Sequence, residues 1–151
     1  MNRIAMLAAA TAALGLAASA HAAPTFIASP NPAAPIGAGA IVPAGSAIFF
    51  VSGIPGDGKL VGTGAQTTDC LTKLGGVLKA QGYDYKDVVN AKVYLVADPA
   101  TGKMDFMAMN TAFKAFFGTP TEPNKPSRVT VQVAALASPG SLVEIELTAA
   151  K

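Results

Sequence analysis

Apolar residues recur along this chain in two ways: every second position in several runs, and every third or fourth position in two others. The most informative run is Pro126–Leu147. Val129, Val131 and Val133 alternate with Arg128, Thr130 and Gln132; past a turn, Val143, Ile145 and Leu147 alternate with Leu142, Glu144 and Glu146. Strand side chains have a period of two, so the pattern predicts two strands with one apolar face and one face carrying Arg128, Glu144 and Glu146. A hairpin symmetric about Leu136–Ala137 sets Arg128 across from the two glutamates. Arg is a forked carboxylate receptor, and Glu can orient or deprotonate a water. The same residues also read as a cross-strand ion pair on a solvated sheet face.

The other elements follow from the same counting. Ala23–Gly39 is rich in Pro, Ala and Gly without periodicity, and reads as an extended N-terminal arm. Ile41–Pro43 and Ala47–Ser52 read as a hairpin whose second strand is central. In Thr67–Gln81, Cys70, Leu71, Leu74, Val77 and Leu78 share one helical stripe, with Thr67 or Thr68 as cap and Gly82 as stop. Asp69 suits the dipole at that helix start. The costly Gly75–Gly76 pair suggests close approach to a strand. Val89, Ala91, Val93 and Leu95 form the apolar face of a strand over Val88–Val96, with Lys92 and Tyr94 on the other. Phe106, Met109, Phe113, Phe116 and Phe117 line a second helix over Met104–Phe117. The resulting order, β-β-(β)-α-β-α-β-β, is an α+β sandwich with two helices on one face of a mixed sheet.

Composition narrows the chemistry. The 151 residues, 51% hydrophobic and 13% charged, allow one domain with a substantial core. Met1–Arg3, the apolar Ile4–Ala18 and the Ala20-His21-Ala22 site read as a leader cleaved after Ala22, leaving 23–151 as a single exported domain, periplasmic or secreted. The apolar run falls short of the roughly 20 residues a membrane span needs. His21 is the only histidine and leaves with the leader, so triads built on imidazole and His-containing zinc sites are excluded. Cys70 is the only cysteine and lies on an apolar stripe, which favours a structural thiol. The net charge of +2 is too small to point to nucleic acid. Gly53-x-x-x-x-Gly58-Lys59 resembles a phosphate loop only superficially: Leu60 follows the lysine, and no helix opens there. It reads as a glycine-rich turn into a short strand.

Five motifs, in order, resemble the Rid/YjgF family of small trimeric enamine/imine deaminases. They are Val51-Ser52-Gly53-Ile54-Pro55; Tyr83–Val89; Val96-Ala97-Asp98 with Asp105-Phe106, Asn110, Phe113, Phe116 and Phe117; Pro126–Val131; and Val143-Glu144-Ile145-Glu146. The resemblance covers about Pro35 to Ala149. It implies a chorismate-mutase-like fold, a homotrimer whose sheets form a central barrel, and ligand clefts between subunits. It implies that Arg128 holds a substrate carboxylate and that Glu144 positions the water attacking a C=N carbon. It also implies that Ser52 and Gly53 line the cleft and that Asn110 frames it. Thr130 stands where the family often has cysteine, and can assist. Gly37-Ala38-Gly39 replaces the family's Gly-Pro-Tyr, so the pocket tyrosine is missing, and Ala135–Pro139 lacks the arginine of the family's turn.

The expectation is therefore an exported hydrolase that converts small 2-imino or 2-enamino acids to 2-keto acids and ammonia, without metal or cofactor. Its partners are a small carboxylate and further copies of itself, with no nucleic acid and no membrane after cleavage. The alternative is a non-catalytic trimeric module that binds small carboxylates. The ribonuclease activity of some relatives fits poorly with near-neutral charge and no histidine.

Overall fold

In a computed structural model the described residues are 22–151, so nearly all of the leader lies outside them. Two short strands, β1 (Thr25–Ile27) and β2 (Gly39–Ile41), pair with each other. The main sheet contains β3 (Ile48–Pro55), β4 (Val88–Leu95), β5 (Ser127–Gln132) and β6 (Val143–Ala150), in the order β3-β6-β4-β5. β6 runs antiparallel to both neighbours, and β4 and β5 are parallel. Helices α1 (Thr63–Ala80) and α2 (Phe106–Phe113) join the sheet in a mixed α+β sandwich. The core lies between helices and sheet, where Leu71, Leu74, Leu78, Met109 and Phe113 meet Val93, Leu95, Ile145 and Leu147, all nearly or fully buried.

The alternation of β4 holds for Ala91, Val93 and Leu95, which are buried under the helices, but the pairing with β6 slips between Val88 and Asn90, and Val88 takes the core place expected of Val89. The opposite face of the sheet is uncovered. Phe50 is 76% exposed there, Ile48 50%, Val129 48% and Val131 40%, around a Lys92–Glu146 ion pair of 2.5 Å. A sheet covered on one side ordinarily turns a polar face to water; this one exposes several apolar side chains there as well.

Several expectations require correction. Pro126–Leu147 is not a hairpin: β4 lies between β5 and β6, pairing Ala91 with both Arg128 and Leu147. Nor does Ile41–Pro43 pair with Ala47–Ser52. β2 takes β1 as its partner, so the N-terminal arm contains a strand, while β3 pairs with β6. No strand follows the glycine-rich turn; α1 begins at Thr63, a turn earlier than Thr67, behind Gly62 with φ of 83°. Thr67 does not cap it, because its hydroxyl donates to Thr63 O at 2.7 Å. Asp69 instead accepts from the Asp57 N–H and pairs with Lys73 at 2.6 Å. α2 is shorter than its apolar stripe, starting at the Asp105 cap and loosening into turns after Phe113. The close approach at Gly75 is made by Tyr85, whose hydroxyl reaches over it to donate to Leu71 O at 2.7 Å; Gly76 faces open space.

Candidate active site

β5 is an edge strand, and its alternation is set by its parallel partner. Arg128, Thr130 and Gln132 lie opposite Ala91, Val93 and Leu95, which places them on the helix side. Val129 and Val131 point to the uncovered face, so the polar residues of this strand, and not its valines, meet the helices. The Arg128 guanidinium lies over the Phe113 ring, 4.6 Å from its centroid, and 5.8 Å from that of Phe106. Its Nη2 donates to Asn110 Oδ1 at 2.5 Å. Asn110, Phe106 and Phe113 stand at i, i−4 and i+3 on α2 and so share one helix face. The Asp105 side chain fixes the start of α2 by accepting from the Ala108 N–H at 2.9 Å.

Two donors in this group have no partner. Arg128 Nη1 and Thr130 Oγ1 are both buried without a hydrogen bond. A buried cation without a counter-ion is costly, and burial lowers the Arg128 pKa from 12.5 to about 10. Among the described residues no carboxylate forms a salt bridge with it.

Glu144 lies on the other face. On β6 it stands between Tyr94 of β4 and Pro55 of β3, while its neighbours Val143 and Ile145 are buried under the helices. The pairing of β3 with β6 slips between Val51 and Ile54, where three steps on β3 match two on β6. That bulge contains Ser52 and Gly53. It brings the Gly53 backbone against the Glu144 carboxylate so closely that a Cβ on residue 53 would overlap Oε1. Bulges of this kind redirect side chains and recur beside functional sites. An open cavity of about 360 Å³ adjoins the carboxylate, lined by Tyr94, Val133, Ala135, Leu136, Glu144 and Glu146.

The expected residues thus gather into two groups. Arg128, Thr130 and Asn110 form one at the β5 edge; Glu144, Ser52 and Gly53 form the other across the β3–β6 bulge. The shared face expected for Arg128 and Glu144 does not exist within one chain, because the pairing through β4 places them on opposite sides of the sheet. Tyr94 beside Glu144 and the Phe106 and Phe113 walls of Arg128 went unnoticed in the sequence. The Lys92–Tyr94 polar face of β4 was the available signal for the first; the phenylalanines read as core.

Comparisons with known proteins agree with this architecture. Residues 26–151 match the model of the family described as endoribonuclease L-PSP. Over 97 residues, 63% of this chain, it is 40% identical to a 2-iminobutanoate/2-iminopropanoate deaminase of Capra hircus, of which 64% is covered. Over 108 residues, 68% of this chain, it is 38% identical to the chloroplastic Reactive Intermediate Deaminase A of Arabidopsis thaliana, of which 52% is covered. The aligned region therefore spans between about half and two thirds of these relatives' own lengths. Among solved structures, a Rid-family protein of unknown function from Yersinia pestis superposes with a TM-score of 0.68 at 27% identity, over 85% of this chain and 98% of that one. RidA from an Antarctic Psychrobacter gives 0.55 at 30% identity, over 68% and 79%. With the matched segment extending over most of its length and this fold beneath it, the chain belongs to the endoribonuclease L-PSP family, the group also called Rid/YjgF.

Proposed function

We propose that this protein hydrolyses small 2-imino or 2-enamino acids to 2-keto acids, releasing ammonia, in a cleft formed between two copies of the chain. The observation that carries the proposal is the division of the charged groups. Arg128 offers an unpaired guanidinium N–H at one sheet edge, and Glu144 lies on the opposite face against a bulge next to the other edge strand, β3. Neither group alone is a hydrolytic site; a second copy packed on the uncovered face and around the β5 edge sets its Glu144 toward the Arg128 of the first. The uncovered face with Phe50, Ile48, Val129 and Val131 supplies apolar surface for such an assembly, and a closed trimer satisfies it without leaving an edge. The names of the goat and Arabidopsis relatives support the same chemistry.

In this mechanism Arg128 and Thr130 receive the substrate carboxylate, and the Gly53 backbone approaches the reacting centre from the neighbouring copy. Glu144 takes a proton from water as the water oxygen bonds to the C=N carbon and the electron pair of the double bond moves to nitrogen. The proton then passes to that nitrogen to give the carbinolamine; Glu144 takes the carbinolamine hydroxyl proton and delivers it to the amine, the C–N bond breaks, and ammonia leaves as the carbonyl forms. An imine is already electrophilic, so holding it against an oriented water is the main requirement. We further propose that the chain works outside the cytoplasm, on the strength of residues 1–22. A second reading, a carboxylate-binding module, draws on Gly39, which stands where the resembled family has its pocket tyrosine and contributes no side chain.

The test generates 2-iminobutanoate in situ with an amino-acid oxidase and follows its loss. Acceleration by the native chain, abolished in Arg128→Ala and in Glu144→Ala, supports hydrolysis. Carboxylate binding that needs Arg128, without acceleration, supports the binding module.

A further inference from the structure

The guanidinium of Arg128 is held in a manner that a merely structural arginine would not need. One face is stacked on Phe113, Nη2 is tied to Asn110, and Nη1 is left without a partner. The group that ties it is an amide. An amide oxygen accepts the Nη2 hydrogen bond but carries no net charge, so it orients the fork and leaves the positive charge uncancelled. A carboxylate in the same place would pair with the guanidinium and occupy it. The next polar side chain on the same face of the strand, Thr130, also keeps its hydroxyl unpartnered. Two unsatisfied polar groups thus stand two residues apart on one strand face.

We propose that Asn110 is the positioning residue of this receptor: it sets the orientation of the Arg128 fork through a hydrogen bond to an uncharged acceptor, so that Nη1 and the Thr130 hydroxyl remain free for the ligand's carboxylate. This narrows the cleft-framing role expected of Asn110 to one that acts through Arg128, and it rests on the reading of Arg128 as the carboxylate receptor. The helix carries the information: the Asp105 cap sets where α2 begins, and that register places Asn110 over Nη2 and Phe113 under the guanidinium face. The arrangement also separates binding from chemistry. Asn110 acts on the carboxylate end of the ligand, while Glu144 acts at the C=N carbon, so loss of Asn110 raises KM and leaves kcat nearly intact.

The test compares Asn110→Ala, Asn110→Gln and Asn110→Asp with the native chain, in imine hydrolysis and in calorimetric binding of 2-ketobutyrate, with thermal unfolding as the check on folding. Asn110→Ala is expected to weaken keto-acid binding about tenfold and raise KM by a similar factor, with kcat within about threefold of native. Asn110→Asp, nearly the same size, is expected to abolish keto-acid binding with the fold retained, because the introduced carboxylate occupies the guanidinium. Asn110→Gln, an amide on a longer arm, is expected to bind better than Asn110→Asp. Native-like binding in both Asn110→Ala and Asn110→Asp, with binding lost in Arg128→Ala, overturns the positioning role and leaves the receptor intact. Native-like binding in Arg128→Ala overturns the receptor itself. Should Asn110→Ala fail to fold, the Asn110→Asp and Asn110→Gln pair still decides: equal affinities contradict the proposal.

Discussion

Gly53 and Glu144 are in such close contact that position 53 has no room for a side chain: a Cβ there would overlap the carboxylate oxygen. The atom in the way is the far end of a flexible side chain, and Gly53 is not among the positive-φ glycines. Gly53→Ala is therefore expected to displace the carboxylate at little cost to the fold. Stability changes by less than about 1 kcal/mol, while activity falls by about tenfold or more, since a small misplacement of a reacting group is expensive. Chemical denaturation and the imine assay on the same preparation check both halves.

Burial of Arg128 has a consequence in alkali. Its pKa of about 10, against 12.5 when solvated, means that the unfolded chain binds more protons than the native one between these values. The Arg128 contribution to stability is unfavourable and constant below about pH 10, and its penalty is relieved as pH rises through that window. Ligand affinity runs the opposite way, because only the charged fork holds a carboxylate. Binding of a 2-keto acid is expected to weaken roughly tenfold for each pH unit above the native value. Calorimetry from about pH 8 to about pH 11 detects this; affinity unchanged across the range contradicts it.

Two adjacent glycines of α1 are expected to respond oppositely. At Gly75 a methyl group would overlap the Tyr85 hydroxyl, which is bonded to Leu71 O, and the ring is packed edge-on against Phe116 and Phe117. Gly75→Ala is expected to cost about 2 kcal/mol through overpacking and the disturbed hydrogen bond. At Gly76 there is open space, and Gly76→Ala is expected to stabilise by about 0.5–1 kcal/mol through helix propensity. Urea unfolding of both variants gives the two signs.

Cys70 is fully buried, and burial pushes its thiol up to about 12. The native protein is expected to resist thiol-alkylating reagents at neutral pH and to react once unfolded, which a mass shift on intact protein would reveal. Rapid labelling of the native chain would contradict this.

How much the sequence disclosed depends on whether a feature is local. The α1 stripe through Cys70, Leu71, Leu74 and Leu78 and most of the alternation of β4 are legible, because each is a period within one element, although Val77, expected on the stripe, is exposed at its edge. Strand neighbours were not. The segment between Gln132 and Val143 looks like a hairpin turn in length and composition, yet β4, from forty residues earlier, takes the place between β5 and β6. Alternation assigns residues to faces within a strand and does not carry the parity through a loop, so Arg128 and Glu144 were expected on a common face that they do not share. The start of α1 was missed because its cap is a positive-φ glycine, Gly62, and not a hydroxyl or carboxylate side chain.

The most direct test of the account is complementation between inactive variants. Arg128→Ala and Glu144→Ala chains, each inactive alone, are co-expressed in equal amounts and assayed for imine hydrolysis. If each cleft takes Arg128 from one copy and Glu144 from the next, random mixing restores both native groups in about a quarter of the clefts, and activity rises accordingly. If the mixed assemblies form and stay as inactive as either parent, the two groups do not act across a subunit boundary, and the proposed cleft is wrong.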